Sequence, residues 1–430
     1  MHSKALVAAA VELMRLALSF EHPFDAVAQR FFREQRSLGP RERALLADAA
    51  YAVLRRMRWF NHLADTGKGP RERRLALLAL ALAEPRTEFN PEDWALVLQG
   101  DEPAWLVRCV HAARDPLSEW PPACRHNLPD WLAESLQAQV GEDFPALADA
   151  LLDTAPLDVR VNALREKRPH IQAELARDSI ESDATPYSPW GLRLRGKQSL
   201  GKLAAYQRGA IEVQDEGSQL LALLLEARRG EMVTDFCAGA GGKTLAIGAA
   251  MRNVGRLYAF DTSAHRLQAL QPRLAKSGLS IVYPSAIAHE NDARLARLVG
   301  KMDRVLVDAP CTGLGTLRRS PDLKWRVSPS DVQAMRQRQH AILTAAARLL
   351  KRGGRLIYST CSLLEEENEA VALAFGAENH DFEPLALAEV LARLNVPKAS
   401  ELCSADGQYL RLWPHRHGTD GFFAAGWTRR

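Results

Sequence analysis

Two short runs of apolar and β-branched residues constrain this chain most, because each ends in a cysteine. Val305–Val307 leads into Asp308-Ala309-Pro310-Cys311, and Arg355–Thr360 (RLIYST) leads into Cys361-Ser362. Runs of this kind read as buried strands. In an open α/β sheet, ligands collect outside the carboxyl ends of the strands. A carboxylate and two thiols are therefore expected at one crevice, although fifty positions separate the cysteines.

The surrounding pattern supplies the sheet. From about Ala205, strand-like runs alternate with helical ones, which argues for βαβ units and a mostly parallel sheet. Met232–Phe236 is the first strand, and it exits through Cys237-Ala238-Gly239-Ala240-Gly241-Gly242-Lys243-Thr244 into a helix. Glycines at such a turn let a ligand lie against backbone at a helix N-terminus. Two phosphate-binding patterns fail here. A Walker A loop needs glycine where Cys237 stands, and the dinucleotide fingerprint needs Gly or Ala where Thr244 stands. The second strand, Arg256–Phe260, ends in Asp261, an acidic residue spaced to hold two ribose hydroxyls. The expected ligand is a nucleoside without a pyrophosphate requirement, of which S-adenosylmethionine is the common one. Asp292 follows a third strand at Ser280–Tyr283; it either reaches the adenine or serves as a turn or cap residue. An antiparallel pair, Tyr409–Trp413 and Phe422–Trp427, closes the sheet.

Upstream, residues 1–125 carry apolar positions at helical spacing and no strand-like alternation. Helices are expected at Ala5–Phe20, Pro40–Arg55 (with proline in its first turn) and Arg71–Leu82. Residues 126–204 begin in a Pro-rich stretch and mix helices at Trp131–Val140, Phe144–Leu152 and His170–Arg177 with short strands at Asp158–Asn162 and Leu192–Arg195. They read as a small α/β module before a third domain at 205–430. The 430 residues are 47% hydrophobic, enough for several cores, and the net charge is only +4, so a nucleic-acid surface must come from local clustering. The six cysteines form no CxxC pair and no Cys/His set with zinc spacing, so no metal site is expected. Reduced thiols, no membrane span and no secretory h-region together make a cytoplasmic, soluble protein the expectation.

With DFCAGAGGKT, DAPCTGLGTLRRSPDLKWR, the TCS of YSTCSLLEEENEAV, IEVQDEGSQL and the terminal RLWPHRHGTDGFFAA in view, the chain resembles the RsmB/Nop/Sun family of RNA cytosine-5 methyltransferases over nearly its whole length. The resemblance implies an α/β, Rossmann-like class I methyltransferase domain. It also implies a preceding all-helical NusB-like domain and a small α/β RNA-binding module, with RNA, most naturally ribosomal, as partner. By the same likeness, Cys361 corresponds to the nucleophile, Cys311 to the cysteine that helps release product, and Asp308 to the acid that contacts the cytosine. The turn Cys237, Ala238, Gly239, Ala240, Gly241, Gly242 and Lys243, together with Asp261 and Asp292, corresponds to the S-adenosylmethionine site, which Asp308 also borders. One departure stands out: the family usually has AAPGGK where this chain has AGAGGK, so Gly239 and Ala240 replace Ala and Pro.

The chemistry explains the parts. C5 of cytosine is a poor nucleophile until a thiolate adds to C6, and only the thiolate form of a cysteine attacks. An acid near N3 neutralises the charge that develops on the ring, and a base must then take the C5 proton. A stacked base is out of reach, so the target must be single-stranded or flipped out. Substrate grip is expected from the stretch 304–338, with seven Lys/Arg against three Asp. Arg318, Arg319, Lys324, Trp325 and Arg326 are the candidate RNA contacts; the alternative is a solvated loop with Trp325 packed in a core. The rival functions are a tRNA cytosine-5 methyltransferase, a DNA cytosine-5 methyltransferase in which Cys311 attacks, and a non-catalytic RNA-binding assembly factor.

Overall fold

The computed structural model describes residues 4–83, 91–116, 119–196 and 198–430. The chain divides into two compact units, Met1–Thr154 with Leu317–Ser328, and Ala155–Thr316 with Pro329–Arg430.

The first unit is helical, with no strand among its described residues. Its centre is the helix Arg71–Ala83, in which Leu75 through Leu80 are all fully buried. A helix that is apolar on every side must be surrounded, and the helices Lys4–Ala17, Pro40–Arg55 and Met57–Ala64 enclose it. Pro40 opens its helix as expected, and the Glu42 carboxylate accepts the Gly39 N–H at 2.8 Å. The helices Asp130–Val140 and Phe144–Leu152 group with this unit by their packing.

The second unit holds two sheets. The smaller has the order β2-β3-β1-β4, from β1 (Leu157–Val161), β2 (Ser182–Ala184), β3 (Gly191–Leu194) and β4 (Ile211–Val213), all antiparallel. Its core is Val159, Val161, Leu192 and Ile211 against Ile171 and Leu175 of the helix Arg168–Arg177. β4 follows the helical turn at Ala204–Gln207 and pairs with β1.

The larger sheet contains β5 (Met232–Asp235), β6 (Arg256–Asp261), β7 (Val282–Ala286), β8 (Met302–Asp308), β9 (Leu350–Thr360), β10 (Phe382–Pro384), β11 (Leu410–Leu412) and β12 (Phe422–Arg429). Its order is β10-β12-β9-β8-β5-β6-β7, with β11 paired to β12. The five strands β5 to β9 run parallel, and β10, β11 and β12 pair antiparallel. Val305, Val307, Leu356 and Tyr358 enter one core; Leu306 and Ile357 enter the other. Both faces are covered, which is why these strands are apolar throughout rather than alternating. The third strand sits later than expected, and its Pro284 is tolerated because β7 is an edge.

Candidate active site

The glycine turn joins β5 to the helix Gly242–Ala250. Gly239 and Gly241 have φ of +55° and +83°, a backbone region that costs glycine little. They serve different ends. A Cβ on Gly239 would meet nothing within 4 Å, whereas one on Gly241 would come 2.1 Å from Leu270 Cδ1. Gly241 therefore packs against Leu270, while Gly239 and Gly242 line the cavity. Asp261 at the end of β6 fixes the turn. Its carboxylate accepts the Gly239 N–H at 2.8 Å and the Ser263 N–H at 2.7 Å. A carboxylate has about four acceptor sites, so capacity remains for hydroxyls.

Beneath the turn lies a group that the sequence reading missed. Asp235 is 1% exposed; Thr244 Oγ1 donates to its Oδ2 at 2.6 Å, while Oδ1 has no partner. Burial, with Asp308 and Asp261 nearby, pushes its carboxyl up to about 7. Lys243 projects from the first turn of the helix, and its Nζ donates to Asp308 Oδ2 at 2.7 Å. Burial lowers the Lys243 ammonium, but the Asp308 carboxylate outweighs it and holds the group above its ordinary value. Ser359 Oγ donates to Asp308 Oδ1 at 3.1 Å. Asp308 thus stands in an ion pair with Lys243.

The two cysteines meet. Cys311 and Cys361 are both free thiols, with their sulfurs 3.3 Å apart. The hydrogen bond to Cys361 and burial push the Cys311 thiol well up. Both sulfurs border one cavity of about 890 Å³ with Cys237, Ala238, Ala240, Lys243, Asp261 and Asp308. Burial also pushes the Cys237 thiol well up, in keeping with a small packed side chain. The cavity wall includes residues not singled out from sequence. Gln214 and Asp215 follow β4, Arg266 lies just beyond β6, and Arg338 comes from the helix Pro329–Ala347. The QDEGSQ stretch was the available signal for the first two.

Two expectations change. The Asp292 carboxylate accepts the Ala288 N–H at 2.8 Å and the Arg294 N–H, Nε and Nη2 at 2.9, 2.9 and 2.6 Å. It caps a short 3₁₀ turn and bears on the cavity only through Ala288, so the direct contact expected of it is replaced by its alternative as a cap. The basic loop is likewise corrected. Residues 317–328 pack as part of the helical unit: Lys324, 1% exposed, donates from Nζ to Arg55 O at 2.8 Å, and Trp325 Nε1 donates to Leu54 O at 2.7 Å. Phe24 N–H donates to Asp322 Oδ2 at 3.1 Å, and Arg318, also buried, is held through its carbonyl by Arg55. Lys324, Trp325 and Arg318 anchor the loop; Arg319 and Arg326 are half-buried beside them. No group of three or more His, Cys, Asp or Glu among the described residues is arranged to hold a metal ion, and no described helix is long and apolar enough to cross a membrane.

A glycine turn after the first strand of a mostly parallel sheet, with an antiparallel strand at the far side, defines a Rossmann-like methyltransferase domain. The family described as 16S rRNA methyltransferase RsmB/F matches residues 222–428, and an RsmF/B-like ferredoxin-like domain matches residues 128–200. A probable ribosomal RNA small subunit methyltransferase B of Synechocystis is 35% identical over 70% of this chain and 66% of its own length, just short of two thirds. One of Bacillus subtilis is 32% identical over 75% and 71%. Among solved structures, PH0851 aligns over 100% of this chain and 99% of its own with a TM-score of 0.79 at 24% identity. A methyltransferase homolog from Pyrococcus horikoshii aligns over 72% and 100% with a TM-score of 0.60 at 28% identity. The chain belongs to the RsmB/F family of methyltransferases.

Proposed function

We propose that this protein methylates C5 of a cytosine in small-subunit ribosomal RNA, with S-adenosylmethionine as donor and a transient bond between Cys361 and C6. The observation that carries the reading is the 3.3 Å approach of two reduced thiols at the wall of a cavity that also contains the glycine turn. The family to which the chain belongs and the names of its relatives support ribosomal RNA as substrate.

The residues present fit the donor. The cavity is lined by Gly239 and Gly242, whose missing side chains leave backbone exposed to a ligand, and by Asp261 with acceptor capacity for ribose. When bound there, S-adenosylmethionine supplies an electrophilic methyl group. The chain's own residues do the rest. Cys361 adds as thiolate to C6 and makes C5 nucleophilic. Lys243 holds a proton beside Asp308, so the pair can donate toward N3 and neutralise charge as the C6–S bond forms. Cys311, whose thiol is pushed up, keeps its proton during attack. After C5 is methylated, Cys311 passes that proton to the departing Cys361 sulfur and takes the C5 proton in its place. The C6–S bond breaks, aromaticity returns, and both cysteines end as thiols.

The DNA-type alternative, in which Cys311 would attack, predicts the opposite pair of outcomes in the variants below. The exposed Arg338 at the cavity wall is the cation suited to a phosphate of the target strand. The test is labelled-methyl transfer to ribosomal RNA and transfer RNA with bisulfite mapping. Cys361→Ala is expected to abolish turnover, and Cys311→Ala to accumulate a covalent RNA adduct on denaturing gels. Retained turnover in Cys361→Ala, or normal release by Cys311→Ala, refutes these roles; methylation confined to transfer RNA refutes the substrate.

A further inference from the structure

Glu367 lies outside both cysteine motifs and lines no part of the cavity, yet its fully buried carboxylate binds four donors. The Thr312 N–H and Gln339 Nε2 donate to Oε1 at 2.8 and 2.9 Å; Thr312 Oγ1 donates to Oε2 at 2.5 Å, and Ser362 Oγ donates to the same oxygen. Thr312 follows Cys311 and Ser362 follows Cys361. Gln339 Nε2 also donates to Pro310 O at 2.9 Å, so both neighbours of Cys311 are tied to one carboxylate. The next residue, Asn368, treats Cys361 in the same way: it accepts from Thr360 Oγ1 at 2.5 Å and donates to Ser362 O at 3.0 Å. Tyr358 OH donates to the Glu367 carbonyl at 2.5 Å and holds the dipeptide to β9.

The donor set explains the residue type. A backbone amide, a side-chain amide and two hydroxyls all presenting hydrogens require an acceptor-only group with about four sites, which is an ionised carboxylate. Its charge is held by neutral dipoles, so the network has one low-energy arrangement.

We propose that Glu367 is the positioning residue of the thiol pair: its carboxylate locks the Pro310–Thr312 turn to the Thr360–Ser362 strand exit and so sets the approach of the two sulfurs. Its charge also lies among the groups that push the Cys311 thiol up, after the Cys361 hydrogen bond and burial. This role rests on the reading of the two cysteines as a working pair, but its geometry is independent of which RNA is modified.

The test uses the full chain with Glu367→Gln, which keeps the shape and removes the charge, and Glu367→Ala. In glutathione buffers, Cys311 and Cys361 give two electrons and two protons to one glutathione disulfide, which leaves as two glutathione thiols. The equilibrium measures how well the protein holds the sulfurs together. Glu367→Gln is expected to lower that effective concentration about tenfold and Glu367→Ala about a hundredfold. kcat for methyl transfer should fall in step, while KM and S-adenosylhomocysteine affinity stay within about twofold. Should Glu367→Ala fail to fold, Glu367→Gln decides alone. An unchanged effective concentration, or a loss of cofactor affinity as large as the loss of kcat, overturns the proposal. If the wild type shows the oxidation behaviour and the variants lower it, but no RNA is methylated, the function fails and the positioning role stands.

Discussion

Asp235 makes the pH dependence of this fold calculable. Its carboxyl is 1% exposed, has one unpartnered oxygen, and is pushed from 3.8 to about 7 in the folded chain. The folded state therefore holds a proton that the unfolded state has already released. Stability from this group is fully present below about pH 4 and is lost as pH rises toward 7. At 1.36 kcal/mol per unit, the roughly three-unit shift amounts to about 4 kcal/mol, of which about 2 kcal/mol falls between pH 5 and pH 7 and nearly 3 kcal/mol between pH 5 and pH 8. Asp235→Asn cannot ionise, and its carbonyl can still accept from Thr244 Oγ1, so this part of the slope should vanish. The assay is urea unfolding of wild type and variant at pH 5, 6, 7 and 8, followed by hydrogen exchange of the β5 amides so that the transition read is that of this sheet. Wild type should lose about 3 kcal/mol more than the variant over that range. Profiles parallel to within about 1 kcal/mol would mean that water or a rearrangement solvates the carboxyl, and the burial argument would be wrong.

Three further outcomes follow from single contacts. Gly315→Ala puts a Cβ 2.1 Å from Gly421 O and 2.7 Å from Cys361 O, both backbone. It should cost about 3 kcal/mol or more and lower the melting temperature by about 6 °C; a shift under about 2 °C refutes the close packing. Asp261→Asn should weaken S-adenosylhomocysteine binding about tenfold or more, because it releases the glycine turn, whereas Asp292→Asn should change it less than about threefold; calorimetry showing the reverse order sinks the assignment. Lys324→Gln should leave the salt dependence of RNA binding unchanged, while Arg338→Gln should reduce its slope by about one, and a slope change in the lysine variant would return the loop to the RNA surface.

What was legible in the sequence was what local pattern controls. β6 and β8 end where Asp261 and Asp308 announced, and β5 stops one residue short of Phe236, because an apolar run followed by glycine, aspartate or proline has few alternatives. Pro40 marked a helix start to the residue. What was not legible depends on partners distant in the chain. A lysine in a basic loop reads as solvated until Arg55 O is seen to accept from it. Asp292, a lone aspartate in a loop, reads first as a turn or cap residue and second as a ligand contact, and the positions of Arg294 and Ala288 show the cap. Glu367 sits in an acidic run that by composition belongs on a surface, and its burial follows from four donors contributed by three separate segments. β10 has only three residues and a proline, too little for a pattern.

The thiol pair is at root a consequence of sheet register. β8 and β9 run parallel with Asp308 opposite Ser359, so both strands end at the same level and each cysteine follows within a few residues. Ala309 N–H donates to Ser359 O at 2.9 Å and Gly315 N–H to Cys361 O at 2.8 Å, which carries the pairing past the strand ends. On the other side, β12 pairs antiparallel with β9 and places Phe423 opposite Thr360, while Gly421 N–H donates to Gly315 O at 2.8 Å. A one-residue slip of β9 would send Tyr358 and Ile357 into the wrong cores and turn every side chain over. The apolar cost of that slip is far larger than anything a loop can impose, so the approximate meeting of the sulfurs is secured by the core, and only its last ångström is left to the network around Glu367.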